Sequence, residues 1–353
     1  MNKKKKKSIF WKIILVLLLG GMVIGGVVGN YWYKNFKVIN VKFKQNSINL
    51  FIPIASTQTS VMKQINLLHI VKDIESLKWL AEQKNYEGDL VVPGEYKIES
   101  GWTNNQLINH LRSGNGRLDA KMSFTNVKTL KDLSFEMSKG ILLEQQEIYD
   151  WLINEDSIAL YGFKKETIVS MFIPNTYRVD FDITVPELMA RMDKEYKVFW
   201  NPERKLKLKE IVLTQSEATT LASIVFAETN STKDMSTIAG VYMNRIKFDW
   251  PLQADPTVIF ANNDFSIRRV LDKHKEVNSA YNTYMYNGLP PGPINIPPIC
   301  YIDAVLNYEK HDYFFFVAKE DFSGDSYFAK NLAQHMVYAR RWQKALNEQG
   351  IYE

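Results

Sequence analysis

Glu228 ends the apolar part of the run LASIVFAETN, residues 221–230. Leu221, Ile224, Val225 and Glu228 recur at the 3–4–7 spacing of one helical face. A carboxylate that continues an apolar stripe is partly withdrawn from water. That penalises its charged form, raises its pKa, and makes it a general acid usable near neutrality. The ordinary alternative is a solvated glutamate at a helix end. Three later segments carry groups that could serve such an acid: LQADPTVIF at 252–260, AYNTYMYNGLPPGPINIP at 280–297 and FAKNLAQH at 328–335. Pro256, Pro290 and Pro291 fix backbone angles, and Gly288 and Gly292 permit turns closed to other residues. The segments read as stiff loops. Gln253, Asn282, Thr283 and Tyr284 would give them the planar polar edges and aromatic faces that sugars require. Asn244, Asp255 and Tyr281 complete the candidate substrate-binding set. An Asp before Pro is commonly a turn or cap residue; if Asp255 instead faces Glu228, a two-carboxylate hydrolysis becomes available. Arg245 and His335 are weaker candidates, better suited to a buried ion pair and a core hydrogen bond.

The elements expected to position these groups follow from periodicity. Thr214 and Glu217 are spaced as a capping box and start the Glu228 helix. A further helix at about 234–248 places Ile238, Val241, Tyr242 and Arg245 on one face. Upstream, a strand near 121–126 leads to helices at about 129–138, 144–153, 185–198 and 204–213, with a turn in MFIPNTYRVD at 171–180. After 250 the chain reads as loop-rich. Earlier still, residues 36–56 alternate apolar and polar side chains, as two strands with a turn near 46–49 would. Helical patterns occupy 60–84, residues 90–97 form a strand interrupted by Pro93-Gly94, and Thr103 opens a helix that stops at glycines 114 and 116.

The leader is of another kind. Lys3 to Lys7 form an unbroken basic run, Lys12 follows, and residues 13–29 contain no charged side chain. With flanking Trp11, Tyr31, Trp32 and Tyr33, the span 13–33 is long enough for a bilayer and bordered by aromatic residues suited to its interfaces. The lysines place the amino-terminal end in the cytoplasm and the rest of the chain outside. A cleaved signal peptide is the rival expectation, disfavoured by the length of the run and the lack of a small-x-small site. The formal charge is +5, and six lysines lie in residues 1–12, so the remainder carries −1. The basic balance belongs to the leader and suits an anionic leaflet; it gives no electrostatic support to a nucleic-acid partner. One cysteine, Cys300, rules out an internal disulfide. The five histidines show no metal-ligand spacing and no phosphate-binding glycine loop is present, so neither a metal nor a cofactor is expected.

LASIVFAET, VYMNRI, LQADPT, AYNTY, GLPPGPI and FAKNLAQH follow one another in an order and spacing that strongly resembles the YceG-like family of endolytic murein transglycosylases. The resemblance extends over the whole chain and is most specific from 221 to 335. It implies an α+β protein: a cytoplasmic tail at 1–12, a transmembrane helix at 13–33, a small LysM-like α+β domain at 36–118, and a larger α+β catalytic domain at 121–350. The LysM-like segment rests on the PGEY turn and the helix after Thr103. The family pattern Glu-x-Glu-Thr maps onto this chain with Phe226 in place of the first acid and Glu228 as the second. The catalytic role therefore carries to Glu228. Residues two apart on a helix point about 200° apart, so both acids would not readily serve one site.

The resemblance implies a single-pass enzyme of the bacterial cytoplasmic membrane, acting on its outer side on nascent peptidoglycan strands and partnered with peptidoglycan synthases. One acid suffices for such a lyase, because the C6 hydroxyl of N-acetylmuramic acid attacks its own anomeric carbon. A catalytically silent wall-binding scaffold, for which Phe226 is the best support, and a hydrolytic muramidase using Glu228 with Asp255 are the alternatives.

Overall fold

The structure is a computed structural model that describes residues 3–125 and 127–350. Residues 1–2 of the basic leader and residue 126, the end of an expected strand, lie outside it. The chain divides into two compact units, residues 1–120 and 121–353.

The first unit opens with α1 (Lys3–Lys37), of which Ile14–Lys37 has a mean hydropathy of 2.0 and no buried share. Twenty-four residues at 1.5 Å rise span about 36 Å, enough for a hydrocarbon core of about 30 Å. Its length and composition meet the requirement for a membrane span and also for a signal sequence. Next come β1 (Ser47–Ile52), α2 (Gln58–Leu67), α3 (Ile74–Gln83), β2 (Gly94–Glu99) and α4 (Asn104–Ser113). β1 and β2 pair antiparallel from Ser47↔Glu99 to Ile52↔Gly94. Leu50, Ile52, Tyr96 and Ile98 point inward against Leu107, Ile108 and Leu111 of α4. The Thr103–Gln106 capping box starts α4, and Gly114 ends it in the left-handed conformation. Trp79 of α3 meets Tyr31, Trp32 and Phe36 edge-on, at centroid distances of 5.1, 5.4 and 6.2 Å, so α1 is packed onto this unit.

The expected strand at 36–43 is not formed. α1 continues to Lys37, and Ile39 and Val41 make only isolated bridges to Thr103 and Val71. Buried Asn40 occupies this crossing. Its amide donates to Asp73 O and Asn104 Oδ1, both at 2.7 Å, and its Oδ1 accepts from Asp73 N at 2.8 Å.

The second unit begins with β3 (Ala120–Ser123), paired with β4 (Thr176–Val179). Between them lie α5 (Leu130–Ser138), α6 (Gln145–Ile153) and α7 (Glu155–Ala159). The expected turn at 171–180 thus ends in a strand, because Tyr177 and Val179 are buried on one face of β4. Then follow α8 (Val185–Phe199), α9 (Pro202–Ile211), α10 (Gln215–Glu228) and α11 (Met235–Lys247). The remainder is richer in regular structure than expected: α12 (Asp255–Asn262), α13 (Asp272–Lys275), α14 (Ile299–Leu306), the β5 (Phe315–Ala318) and β6 (Ser326–Ala329) hairpin, and α15 (Leu332–Glu348).

α10 is the axis of this unit. Every residue from Ala218 to Val225 is buried, so the helix has no solvent face over two turns, in place of the single apolar stripe expected. Small residues make this possible. Thr219 and Thr220 donate to the carbonyls of Gln215 and Ser216 four residues back, and Ser223 donates to Thr220 O, so each buried hydroxyl is satisfied within the helix. Leu221, Ile224 and Val225 pack with Ile238 and Tyr242 of α11 and Ile302 and Val305 of α14. Gly240 lets α11 run tightly past the following segment: a Cβ there would lie 2.3 Å from Glu309 O.

Asn40→Ala would leave Asn104 Oδ1 and Asp73 N without their buried partner. We expect a loss of about 2–4 kcal/mol in the stability of the first unit, read as a lowered denaturant midpoint of the detergent-solubilised chain.

Candidate active site

Glu228 is the last residue of α10; Thr229 leaves the helix in an extended conformation and its carbonyl accepts from Tyr301 Oη at 2.8 Å. The acid is half-buried, with its carboxyl enclosed by neighbouring atoms. Tyr242 Oη donates to Glu228 Oε1 at 2.9 Å. Oε1 is thereby engaged as an acceptor, which leaves the acid proton to Oε2.

Burial pushes the Glu228 pKa up from its ordinary value of 4.5 to about 7. The Tyr242 hydrogen bond works against burial, the charge of Asp255 adds to it, and the charge of Arg245 opposes it. The position at a helix C-terminus, where the macrodipole disfavours an anion, acts in the same direction as burial. Arg245 is buried one turn after Tyr242, and its guanidinium is pinned by carbonyls. Nε and one terminal nitrogen donate to Phe314 O at 2.9 and 2.7 Å, and the other terminal nitrogen donates to Leu252 O. It is therefore a fixed positive charge near the acid, not a mobile one.

Asp255 opens α12, with Pro256 behind it in the first helical turn, where a missing N–H is harmless. The segment expected as a stiff loop is for this reason a helix start. Asp255 is exposed and accepts from Tyr284 Oη at 2.6 Å. Burial raises the Tyr284 pKa, and the Asp255 hydrogen bond and the charges of Asp255 and Glu228 raise it further. Glu228, Tyr242, Arg245, Asp255 and Tyr284 thus form one electrostatically connected group. His335 borders it, stacked on Phe315 at 5.2 Å; burial and then the charge of Arg245 lower its pKa.

The other expected binding residues are placed differently. Asn244 donates to the carbonyls of His311 and Tyr313 at 2.8 and 2.9 Å and lines a separate groove with Met243 and Phe248; it points some 200° away from Tyr242 on α11. Asn282 is fully buried and donates to Lys275 O and Val277 O at 2.7 and 2.8 Å. Thr283 Oγ1 accepts from Ala254 N at 3.0 Å and lies 2.8 Å from Thr257 Oγ1, tying the 281–284 turn to the start of α12. Tyr281 packs on Phe260 at 4.7 Å, and burial pushes its pKa up to about 12. Asn282 and Thr283 spend polar groups on the scaffold of the site, Asn244 spends its amide N–H groups on the approach to β5, and Tyr281 contributes ring packing. Gln253 is exposed at φ 48°, its N–H donating to Thr283 O at 3.0 Å. Phe226 packs on Tyr301 at 5.0 Å.

Tyr242 is the residue that sequence reasoning did not connect to the acid. The available signal was its place with Ile238, Val241 and Arg245 on one face of the next helix.

Two sets of outcomes test this geometry. If protonated Glu228 is the working acid, kcat/KM falls as pH rises through about 7. Tyr242→Phe removes a bond that favours the carboxylate and should move that limb to higher pH, whereas Asp255→Asn removes a repulsion and should move it lower. In stability, a carboxyl whose native pKa exceeds its ordinary 4.5 stabilises the fold fully at low pH and loses this as pH rises through about 7. Glu228→Gln should therefore be more stable than the parent at pH 8.5, by about 1–3 kcal/mol after allowance for partial exposure, read as a higher unfolding midpoint. The difference should shrink as pH is lowered towards 4.5.

The sequence profile of the YceG-like family matches residues 50–341. The chain is 25% identical over 322 residues to the endolytic murein transglycosylase of Bacillus subtilis, covering 87% of this chain and 88% of that protein. It is 25% identical over 357 residues to the endolytic murein transglycosylase of Streptococcus pneumoniae R6, covering 92% of this chain and 63% of the relative. The crystal structure of a yceG-like protein from Listeria monocytogenes superposes with a TM-score of 0.59 at 23% identity, covering 83% of this chain and 99% of that one, and shares its fold. A half-buried glutamate at the end of a core helix, a profile match over most of the length and a shared fold lead to one assignment: the chain belongs to the YceG-like family.

Proposed function

We infer that this chain is an endolytic murein transglycosylase, a lyase anchored in the cytoplasmic membrane by α1, with residues 121–350 as its catalytic domain on the outer side. It cuts the MurNAc–GlcNAc bond within nascent peptidoglycan strands, leaves a 1,6-anhydro-MurNAc end and so helps to terminate glycan elongation. The observation that carries this is the Glu228 carboxyl with its pKa near 7, one oxygen held by Tyr242 and the other left to bear the proton.

Oε2 gives its proton to the glycosidic oxygen as the bond from that oxygen to the anomeric carbon breaks. The carboxylate then takes the proton of the MurNAc C6 hydroxyl as that oxygen bonds to the same carbon. No water is consumed, and Glu228 ends the cycle protonated as it began. Proton transfer of this kind contributes about 10²–10⁴-fold. The exposed carboxylate of Asp255, oriented by Tyr284, is a fixed negative charge suited to the oxocarbenium-like carbon between the two steps. Arg245 steadies Glu228 during the interval in which it is an anion. The family relationship and the names of the bacterial relatives support the reaction class. The apolar α1, the lysines before it and its aromatic packing on Trp79 support a retained anchor. Work near the bilayer on new strands suits partnership with peptidoglycan synthases, and the small unit at 36–118 would be a LysM-like spacer or wall-contact domain.

Asp255 is also the observation that favours the second reading, hydrolysis by two carboxylates, since its charge is felt at Glu228. Products separate the two. The parent protein should release 1,6-anhydro-muropeptides from glycan strands, and Glu228→Gln should abolish them. Reducing ends in their place would assign hydrolysis, and undiminished product from the Gln variant would remove Glu228 from the mechanism.

A further inference from the structure

A cavity of about 260 Å³ opens beside the acid in the second unit. Ala227 and Pro256, which line it, are the chain neighbours of Glu228 and Asp255, so its wall joins the backbone that carries both carboxylates. Its walls are Phe226, Phe260, Phe265 and Ile294, and Asn295 and Lys128 supply polar groups. Asn295 is 5% exposed. Its Nδ2 donates to Ser223 O at 2.9 Å, which fixes the amide orientation, while its buried Oδ1 has no partner. Leaving a buried acceptor without a donor is costly, and a ligand N–H recovers that cost. Lys128 is exposed, its Nζ 5.1 Å from the Phe265 ring centroid, and among the described residues it meets no carboxylate.

We propose that this cavity binds the first residues of the peptide stem on the muramic acid next to the cleaved bond. The proposal rests on the reaction assigned above. An amide N–H of the stem donates to Asn295 Oδ1, its lactyl and alanyl methyls lie against the aromatic walls, and a stem carboxylate pairs with Lys128. The occupant is chosen by charge and size. The sugar's own acetamido group brings an N–H and a methyl, but it has no anion for Lys128 and fills only a small part of the space. The Phe226 ring makes this wall apolar and brings no charge to oppose the stem carboxylate.

The test uses the full chain in detergent micelles with N-acetylmuramoyl-L-alanyl-D-glutamate as probe, measured by calorimetry beside N-acetylmuramic acid alone. The probe should bind more tightly than the bare sugar. Lys128→Glu should weaken the probe about tenfold or more and leave the bare sugar unchanged. In turnover, the parent should favour stem-bearing strands over amidase-stripped strands. Lys128→Glu should lose that preference while cleaving stripped strands as the parent does. Equal binding of probe and sugar, or an equal loss on both kinds of strand, overturns the proposal. Glu228→Gln separates the two levels. If it binds the probe normally and still releases product, the assigned reaction fails and the pocket stands. If it binds the probe normally and releases none, both stand. If its product is abolished but probe and sugar bind alike, the pocket alone fails.

Discussion

On the reading proposed above, Glu228 gives away a proton and lives briefly as an anion, and such a group suits neither oil nor water. In water Glu228 would be ionised at neutral pH and have no proton to give. Fully enclosed by apolar side chains it would hold the proton and refuse the charge. The second unit resolves this with opposing influences on one carboxyl: burial at the end of α10 and the charge of Asp255 on one side, the Tyr242 hydroxyl and the Arg245 guanidinium on the other. The result lies near 7, where the two protonation states are nearly balanced.

Much of the surrounding fold exists to keep those influences in place. α10 is buried on every side because its polar residues bond to its own backbone, so the acid stands at the end of a close-packed element. Arg245 is held by carbonyls from two different segments, Leu252 and Phe314, which joins α11 to the approach of α12 and to the β5–β6 hairpin. Thr283 and Asn282 shape the turn that delivers Tyr284 to Asp255. Polar residues buried near the site serve mainly as fasteners, and the groups left to meet a ligand are few.

The helices that carry the acid and its partners were legible in the sequence because local chemistry defines their ends. Thr214 and Glu217 form the capping box expected of them, and Ile238, Val241, Tyr242 and Arg245 are all buried on α11. The region after 250 was not legible, for two reasons. Pro256 reads as a helix breaker, yet it occupies a first helical turn, and β5, β6 and α15 are short or half-exposed elements stabilised by each other more than by their own periodicity. The side chains of Asn244, Asn282 and Thr283 resemble sugar-binding groups by type. Whether an amide faces solvent or a neighbouring carbonyl is settled by tertiary packing, which spacing along the chain does not encode. The link from Glu228 to Tyr242 crosses between two helices and is of the same kind.

The tight passage at Gly240 carries a consequence for the acid through Tyr242, two residues further along α11. Glycine is a poor helix former, about 1 kcal/mol worse than alanine, and nothing in the turn geometry of α11 calls for it. What calls for it is the Glu309 carbonyl, which leaves no room for a methyl group. Any larger residue would lever this end of α11 outward, and Tyr242 and Arg245 would travel with it. The proton affinity of Glu228 is thus calibrated partly by an absent carbon atom on a different helix.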